Sequence, residues 1–345
     1  MIIILIILFV AVSILSFLPL ESNLILKESL FFVLGLILMV IAAFRGEGVD
    51  RDYTTYIELY HTSVYEINIE VFFLLIASIV RNLFFDNVLF LFLIYAMIGV
   101  GLKFFAIHEL TSLWFLSVLI YISNFYMLHE MTQIRAGAAS GILLLCIKPI
   151  YERNFKLFLI LVILGVCFHY SAIVIIPLYF INSNKSNMLR YLLLVPIAYV
   201  LYFLRITLST VLATLPIPAI QSKVIAYNAL MASGEMTEIN IFNFLFLFKI
   251  ILCFFLIWRL QSIAAKNKYF IILLKIYIIA LSTFVLFSDF PTLAFRITEL
   301  LQVVEVILIP LIVYAFVEKR WATLLPISFA ALLMWLIIFY TKIIM

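Results

Sequence analysis

The chain has 345 residues, 67% of them hydrophobic and 12% charged, with a net charge of +4 and a mean hydropathy of +1.28. Soluble domains carry about a quarter charged residues, so this composition excludes an ordinary water-soluble enzyme. The basic residues are few and scattered, which excludes a nucleic-acid partner.

Apolar runs long enough to cross about 30 Å of hydrocarbon recur along the chain. They do not alternate apolar with polar residues as barrel strands do. The expectation is an all-α, polytopic membrane protein of about 11–13 spanning helices, folded as a single integral membrane domain over 1–345. Residues 1–20 lack a basic n-region and a small-residue cleavage site, and read as the first membrane helix. A second run, 28–44, follows Glu21-Ser22-Asn23.

A polar loop comes next, Phe44-Arg45-Gly46-Glu47-Gly48-Val49-Asp50-Arg51-Asp52-Tyr53. In so apolar a chain each of these charges needs water, a partner or a ligand. Tyr53, Tyr56 and Tyr60 fall on one helical face, which suits a short helix at the membrane interface. Residues 69–85 are apolar but carry Arg81, and read either as a span or as a segment lying along the surface. The second choice makes 45–85 an external loop with interfacial helices.

Further spans are expected at 87–106, 112–128 and 134–148. The run 156–181 is interrupted by His169-Tyr170-Ser171 and reads as two short helices meeting near His169. Spans at 188–204, 241–259, 269–288, 295–317 and 321–342 complete the series. Between them, 205–240 reads as a second large external loop, with Arg205, Pro216, Pro218, Lys223, Glu235 and Glu238. The three cysteines all lie inside apolar runs and read as small core residues.

Basic loops mark the cytoplasmic side. They hold Lys148, Arg153 and Lys156; Lys185 and Arg190; Arg259, Lys266 and Lys268; and Lys319-Arg320. His129–Arg135, His169, 205–240 and 289–296 then face outward. The loop 45–69 joins them only if 69–85 does not cross.

Four constellations can carry chemistry. Arg45 offers a fork of donors for phosphate oxygens, and Gly46 and Gly48 permit a close backbone approach. Asp50 and Asp52 can act as base or as helix cap; the plainer reading has Arg45 snorkelling and one aspartate capping. Gln133-Ile134-Arg135 opens into the small residues Ala136-Gly137-Ala138-Ala139. An arginine at mid-membrane costs roughly 2.5–3.5 kcal/mol on insertion scales, so Arg135 reads as a cation aimed at phosphate or as a snorkelling side chain. His169 is either a packing residue or part of a site at the helix break. Arg296 and Glu299 can pair on one helix face, while Glu305, deeper, needs a partner or a proton. The four histidines have no metal-ligand spacing, and no P-loop or GxSxG occurs.

These residues resemble a family. The Arg45–Tyr56 loop resembles the arginine-, glycine-, aspartate- and tyrosine-bearing loop of EpsG/Wzy-type polysaccharide polymerases. Gln133-Ile134-Arg135 is similar to their helix start with Gln and Arg in the opposite order. Phe168-His169-Tyr170-Ser171-Ala172 and Phe295-Arg296-Ile297 resemble two later elements, in the same chain order. The resemblance implies a GT-C-like fold in the bacterial plasma (inner) membrane, with the active site on the external, periplasmic side. It implies a glycosyltransferase that joins undecaprenyl-diphosphate-linked oligosaccharide repeat units, one as donor and one as acceptor, and it implies no cofactor. A chain-length regulator and a flippase are the implied protein partners. Arg45, Tyr56, Gln133, Arg135 and Arg296 would bind substrate and its diphosphate, and Asp50, Asp52 or His169 would serve as base. A flippase for the same lipids and a membrane sugar O-acetyltransferase are the alternatives. The first would spread its polar residues through both leaflets, and the second would need a second catalytic histidine.

Overall fold

The computed structural model describes residues 1–62, 69–206, 233 and 239–341. Most of the loop expected at 205–240, including Pro216, Pro218, Lys223, Glu235 and Glu238, lies outside the described residues. So do 63–68 and the end of the run 321–342.

Among the described residues there are helices and no strands. Long apolar segments have this outcome forced on them, because a helix satisfies every backbone N–H and C=O without water. The first helices are Ile2–Phe17 (α1), Leu24–Ala43 (α2), Tyr53–His61 (α3) and Val71–Leu83 (α4). Next come Leu89–Leu110 (α5), Trp114–Ile120 (α6), Ile134–Glu152 (α7) and Phe155–Phe168 (α8). Among the described residues, four helices are long and apolar enough to cross a membrane: α2, α5, α7 and Lys319–Tyr340. Several start on an asparagine cap. Asn23, Asn154 and Asn243 each accept a backbone N–H three residues on, at 3.0, 3.1 and 2.9 Å.

The packing is inverted relative to the periphery of a soluble protein. Ile3, Ile25 and Phe32 on α1 and α2 are exposed, as are many large apolar side chains elsewhere. Exposure on this scale marks a surface meant for lipid. α7 and the helix Phe270–Leu286 form the buried centre. Together the apolar helices and exposed apolar faces make this a multi-pass membrane protein.

Several boundaries differ from the sequence expectation. α4 has 13 residues, about 20 Å at 1.5 Å per residue, too short to cross as one straight helix. The run 112–128 is α6 continued by a π-helix, Tyr121–Thr132, which carries His129 and Glu130 into the interior. The run 295–317 is not one helix. It breaks into Pro291–Gln302, Glu305–Leu308 and a 3-10 segment, Pro310–Ala315, the second break falling at Pro310, which has no N–H to give. The run 156–181 breaks where the histidine stands: α8 ends at Phe168, His169 is extended (φ −157°, ψ 126°), and a 3-10 helix, Tyr170–Phe180, follows.

Two glycines permit close approaches that position the site. A Cβ on Gly99 would fall 1.8 Å from Glu130 Oε2, and one on Gly137 would fall 2.5 Å from the His129 carbonyl oxygen. Lys103 ties the two together, bonding Glu130 Oε1 at 2.5 Å and the Gly137 carbonyl at 2.7 Å. His129 Nδ1 meets Ser140 Oγ at 3.0 Å. The junction between the π-helix and α7 is thereby pinned from three sides.

Candidate functional site

The loop after α2 folds back on itself. Arg45 Nε donates to Asp50 Oδ2 at 2.9 Å, and both side chains are fully buried. Arg45 Nη1 donates to the Ala42 carbonyl at 2.8 Å and to the Glu130 carbonyl at 3.3 Å. A cation just past the C-terminus of α2, bonded to the Ala42 carbonyl, suits the negative end of the helix dipole. The guanidinium also lies 4.2 Å from the Phe92 ring centre, so Arg45 does not snorkel. The turn is closed by Gly48 at φ +79°, a conformation that favours glycine. Asp50 Oδ1 accepts the Asp52 N–H at 3.0 Å, which fixes the approach to α3. Asp52 stands at the N-cap of α3 without a side-chain bond of its own to the helix. Burial and the neighbouring Asp50 raise its carboxyl above the usual range.

The densest polar cluster forms one step further on, around Glu70. This residue is the N-cap of α4, and only 3% exposed. Its Oε2 accepts from Arg135 Nη1, and its Oε1 accepts from His169 Nδ1 at 2.6 Å. Burial by itself pushes the Glu70 carboxyl up. The His169 bond and the Arg135 charge overcome that and hold it down at about 2. Tyr170 Oη donates to the Ile69 carbonyl at 3.3 Å, and the Phe72 and Phe168 rings pack edge-on at 4.6 Å. The two segments are therefore held together by more than charge.

Arg135 is the second residue of α7. A cation there adds to the positive end of its own helix instead of opposing it, and Glu70 offsets the excess. The guanidinium lies 5.7 Å from the ring centres of both Tyr56 and Phe73. Its Nε is buried with no hydrogen-bond partner. An unmet N–H beside a helix N-terminus is a site for an anion. His169, with Nδ1–H given to Glu70, keeps Nε2 as an acceptor, and that atom has no bonded partner among the described residues.

The other residues singled out by sequence lie beside this cluster. Gln133, the N-cap of α7, donates from Nε2 to Glu299 Oε2 at 3.3 Å. Arg51, Lys249 and Arg296 all act electrostatically on Glu299. Arg296 is exposed and makes no ion pair with Glu299 or any other described residue. The structure thus brings Arg135 and His169 together on Glu70, with Tyr56 beside the Arg135 guanidinium. It pairs Arg45 with Asp50 a short way off, and sets Gln133 and Arg296 around Glu299. Sequence reading gave no role to Glu70, which stood only as the edge of an apolar run. Its signal was its position, a carboxylate directly ahead of Val71-Phe72-Phe73-Leu74-Leu75-Ile76.

No curated protein and no solved structure matches the chain. A family model does match, over residues 28–345, nearly the whole chain and every site segment above. On that match, with the buried arginine–glutamate–histidine cluster inside it, the chain belongs to the EpsG family.

Proposed function

We propose that this protein is a polysaccharide polymerase that joins undecaprenyl-diphosphate-linked oligosaccharide repeat units on the external face of the bacterial plasma membrane. Membership of the EpsG family supports a polysaccharide polymerase-type function. The single observation that carries the finer reading is the Glu70 carboxylate, shared between Arg135 and His169.

The chemistry follows from the residues. A glycosyl diphosphate has a good leaving group, and its departure is helped by cations aimed at the developing charge. Arg135, with its unmet Nε and the α7 N-terminus behind it, takes that part, and Tyr56 flanks the guanidinium. Arg296 and Gln133, around Glu299, hold the substrate further out. His169, oriented through Nδ1–H by Glu70, takes the acceptor hydroxyl proton at Nε2. Glu70 is a positioning residue in this scheme. Asp52, whose raised carboxyl has greater proton affinity, is the second candidate base. Asp50 and Arg45, committed to each other in a fully buried pair, set the loop's shape. The short α4 supports an external loop 45–85 that lies along the membrane, and the whole chain acts as one membrane domain with a GT-C-like arrangement.

The test is polysaccharide length in cells carrying variants at normal membrane abundance. Arg135→Ala and His169→Ala should each reduce surface polysaccharide to single repeat units, and Glu70→Gln should do the same. Wild-type chain lengths in Arg135→Ala would overturn the assignment. Loss of all lipid-linked repeat units from the outer leaflet would instead indicate a flippase.

A further inference from the structure

A cavity of about 230 Å³ lies between the π-helix and the helices Phe244–Trp258, Phe270–Leu286, Pro291–Gln302 and Lys319–Tyr340. Glu299 lines it, and the Gln133–Glu299 bond at 3.3 Å connects it to the start of α7, two residues before Arg135. The lining mixes polar groups with aromatic rings. Phe246 and Phe284 have ring centres 4.6 Å apart, and Phe295 meets Phe284 edge-on at 5.8 Å.

The lysine in this wall is already taken. Lys249 Nζ lies 2.8 Å from Glu305 Oε1 and donates to Gln302 Oε1 at 2.8 Å. Glu299 adds a further carboxylate. A phosphate needs donors whose charge is not already taken, so the cavity is a poor match for one. A prenyl chain is also a poor match, since it would strip water from Asn124, Thr298 and the Gln302 amide and give nothing back.

One atom points to a ligand directly. Thr298 is 3% exposed, lines the cavity, and its Oγ1 is buried with no hydrogen-bond partner. Buried hydroxyls are nearly always bonded, and one left unmet at a cavity wall is a place for a ligand's own hydroxyl or amide. Gln302, having given Oε1 to Lys249, keeps its NH2 group free to donate. A sugar ring satisfies both halves of such a wall, because its C–H face packs on phenylalanine while its hydroxyls bond to amides and hydroxyls.

We propose that this cavity binds one uncharged pyranose ring of the lipid-linked oligosaccharide, held by Thr298, Asn124 and the Gln302 amide against Phe246 and Phe284. The proposal rests on the polymerase reading and divides the substrate in two, with the diphosphate at Arg135 and a sugar beyond Glu299. The ring belongs either to the acceptor's non-reducing end or to the donor's reducing end.

The experiment uses full-length protein in lipid nanodiscs and two probes, with binding measured calorimetrically. One probe is the neutral repeat-unit oligosaccharide released from the cell's own polysaccharide and capped at its reducing end. The other is undecaprenyl diphosphate without sugar. Thr298→Val, nearly the same in shape, should weaken oligosaccharide binding about tenfold, the cost of leaving a substrate hydroxyl unmatched. Its affinity for undecaprenyl diphosphate should not change. Arg135→Ala should show the reverse pattern, and Asn124→Leu should follow Thr298→Val. A probe trimmed of its non-reducing terminal sugar separates the two sources. If the tenfold difference vanishes, the acceptor end sits in the cavity; if it persists, the donor end does. Unchanged oligosaccharide affinity in Thr298→Val, with Arg135-dependent diphosphate binding intact, overturns the cavity and leaves the polymerase reading standing. Failure of wild-type protein to bind either probe overturns both.

Discussion

At the scale of single residues, Glu70 decides more than any side chain in the polar loop before α3. Its carboxylate makes the ion pair with Arg135 and the short contact with His169 at once, and it is nearly buried. Removing one partner of such a pair costs about 3–5 kcal/mol, because the other is left uncompensated. The Glu70→Gln protein should therefore unfold at lower temperature in detergent, besides losing polymer formation. The pH dependence has a definite sign. The Glu70 carboxyl is lowered from 4.5 to about 2 in the folded protein. Its stabilisation is present in full above pH 4.5 and is lost as pH falls from there through about 2. Acid denaturation followed by helical circular dichroism should show this loss in wild type and not in Glu70→Gln. An equal acid slope in both would exclude Glu70 as its source. Residues such as Arg45, Asp50 and Arg135 were legible in the sequence because a charge amid apolar runs stands out. Their pairing was not legible, since Arg45 takes Asp50 while Arg135 takes a residue 65 positions away.

At the scale of elements, the junction of the π-helix with α7 aims Arg135, and glycines govern it. Gly99→Ala would push a methyl into Glu130 and break the buried Lys103–Glu130 pair. It should sharply reduce the amount of folded protein in membranes. Gly46→Ala is the matched control in the polar loop, where an added Cβ meets nothing within 4 Å. It should accumulate normally; equal loss in both would mean the contact at Gly99 is not the cause. Lys275 offers a second case on the far side of the core. Its Nζ holds Asn182, Asn184 and Asn187 through four hydrogen bonds of 2.6 to 3.0 Å. Lys275→Met keeps the apolar stem and removes the donor, so proteolytic nicking within 182–187 should rise while α7 stays protected. No change in nicking would show that the loop holds itself. The sequence marked the break at His169, because a polar triplet cannot continue a lipid-facing helix unaided. It did not mark the π-helix, which carries Glu130 to a lysine on another helix.

At the scale of the whole molecule, the sidedness of α3 governs every functional statement. A cysteine introduced as Glu58→Cys, with Cys167→Ala to remove the partly exposed native thiol, should react in intact cells with a membrane-impermeant maleimide. Labelling only after the cells are opened would put the loop on the cytoplasmic side and dissolve the proposed site. The sequence by itself determined the class of protein, because hydropathy is a property of composition and a bilayer leaves helices as the only economical answer for these runs. It also carried the family, through short motifs whose order along the chain is readable without coordinates. Only the tertiary structure decided that α4 is too short to cross as a straight helix, that Arg45 is committed to Asp50, and that Glu70 joins Arg135 to His169. The physical reason is separation along the chain. Glu70, Arg135 and His169 come from three separate segments, at the start of α4, in the first turn of α7 and at the break after α8. No periodicity within one helix reports which buried charge another segment will bring to meet it.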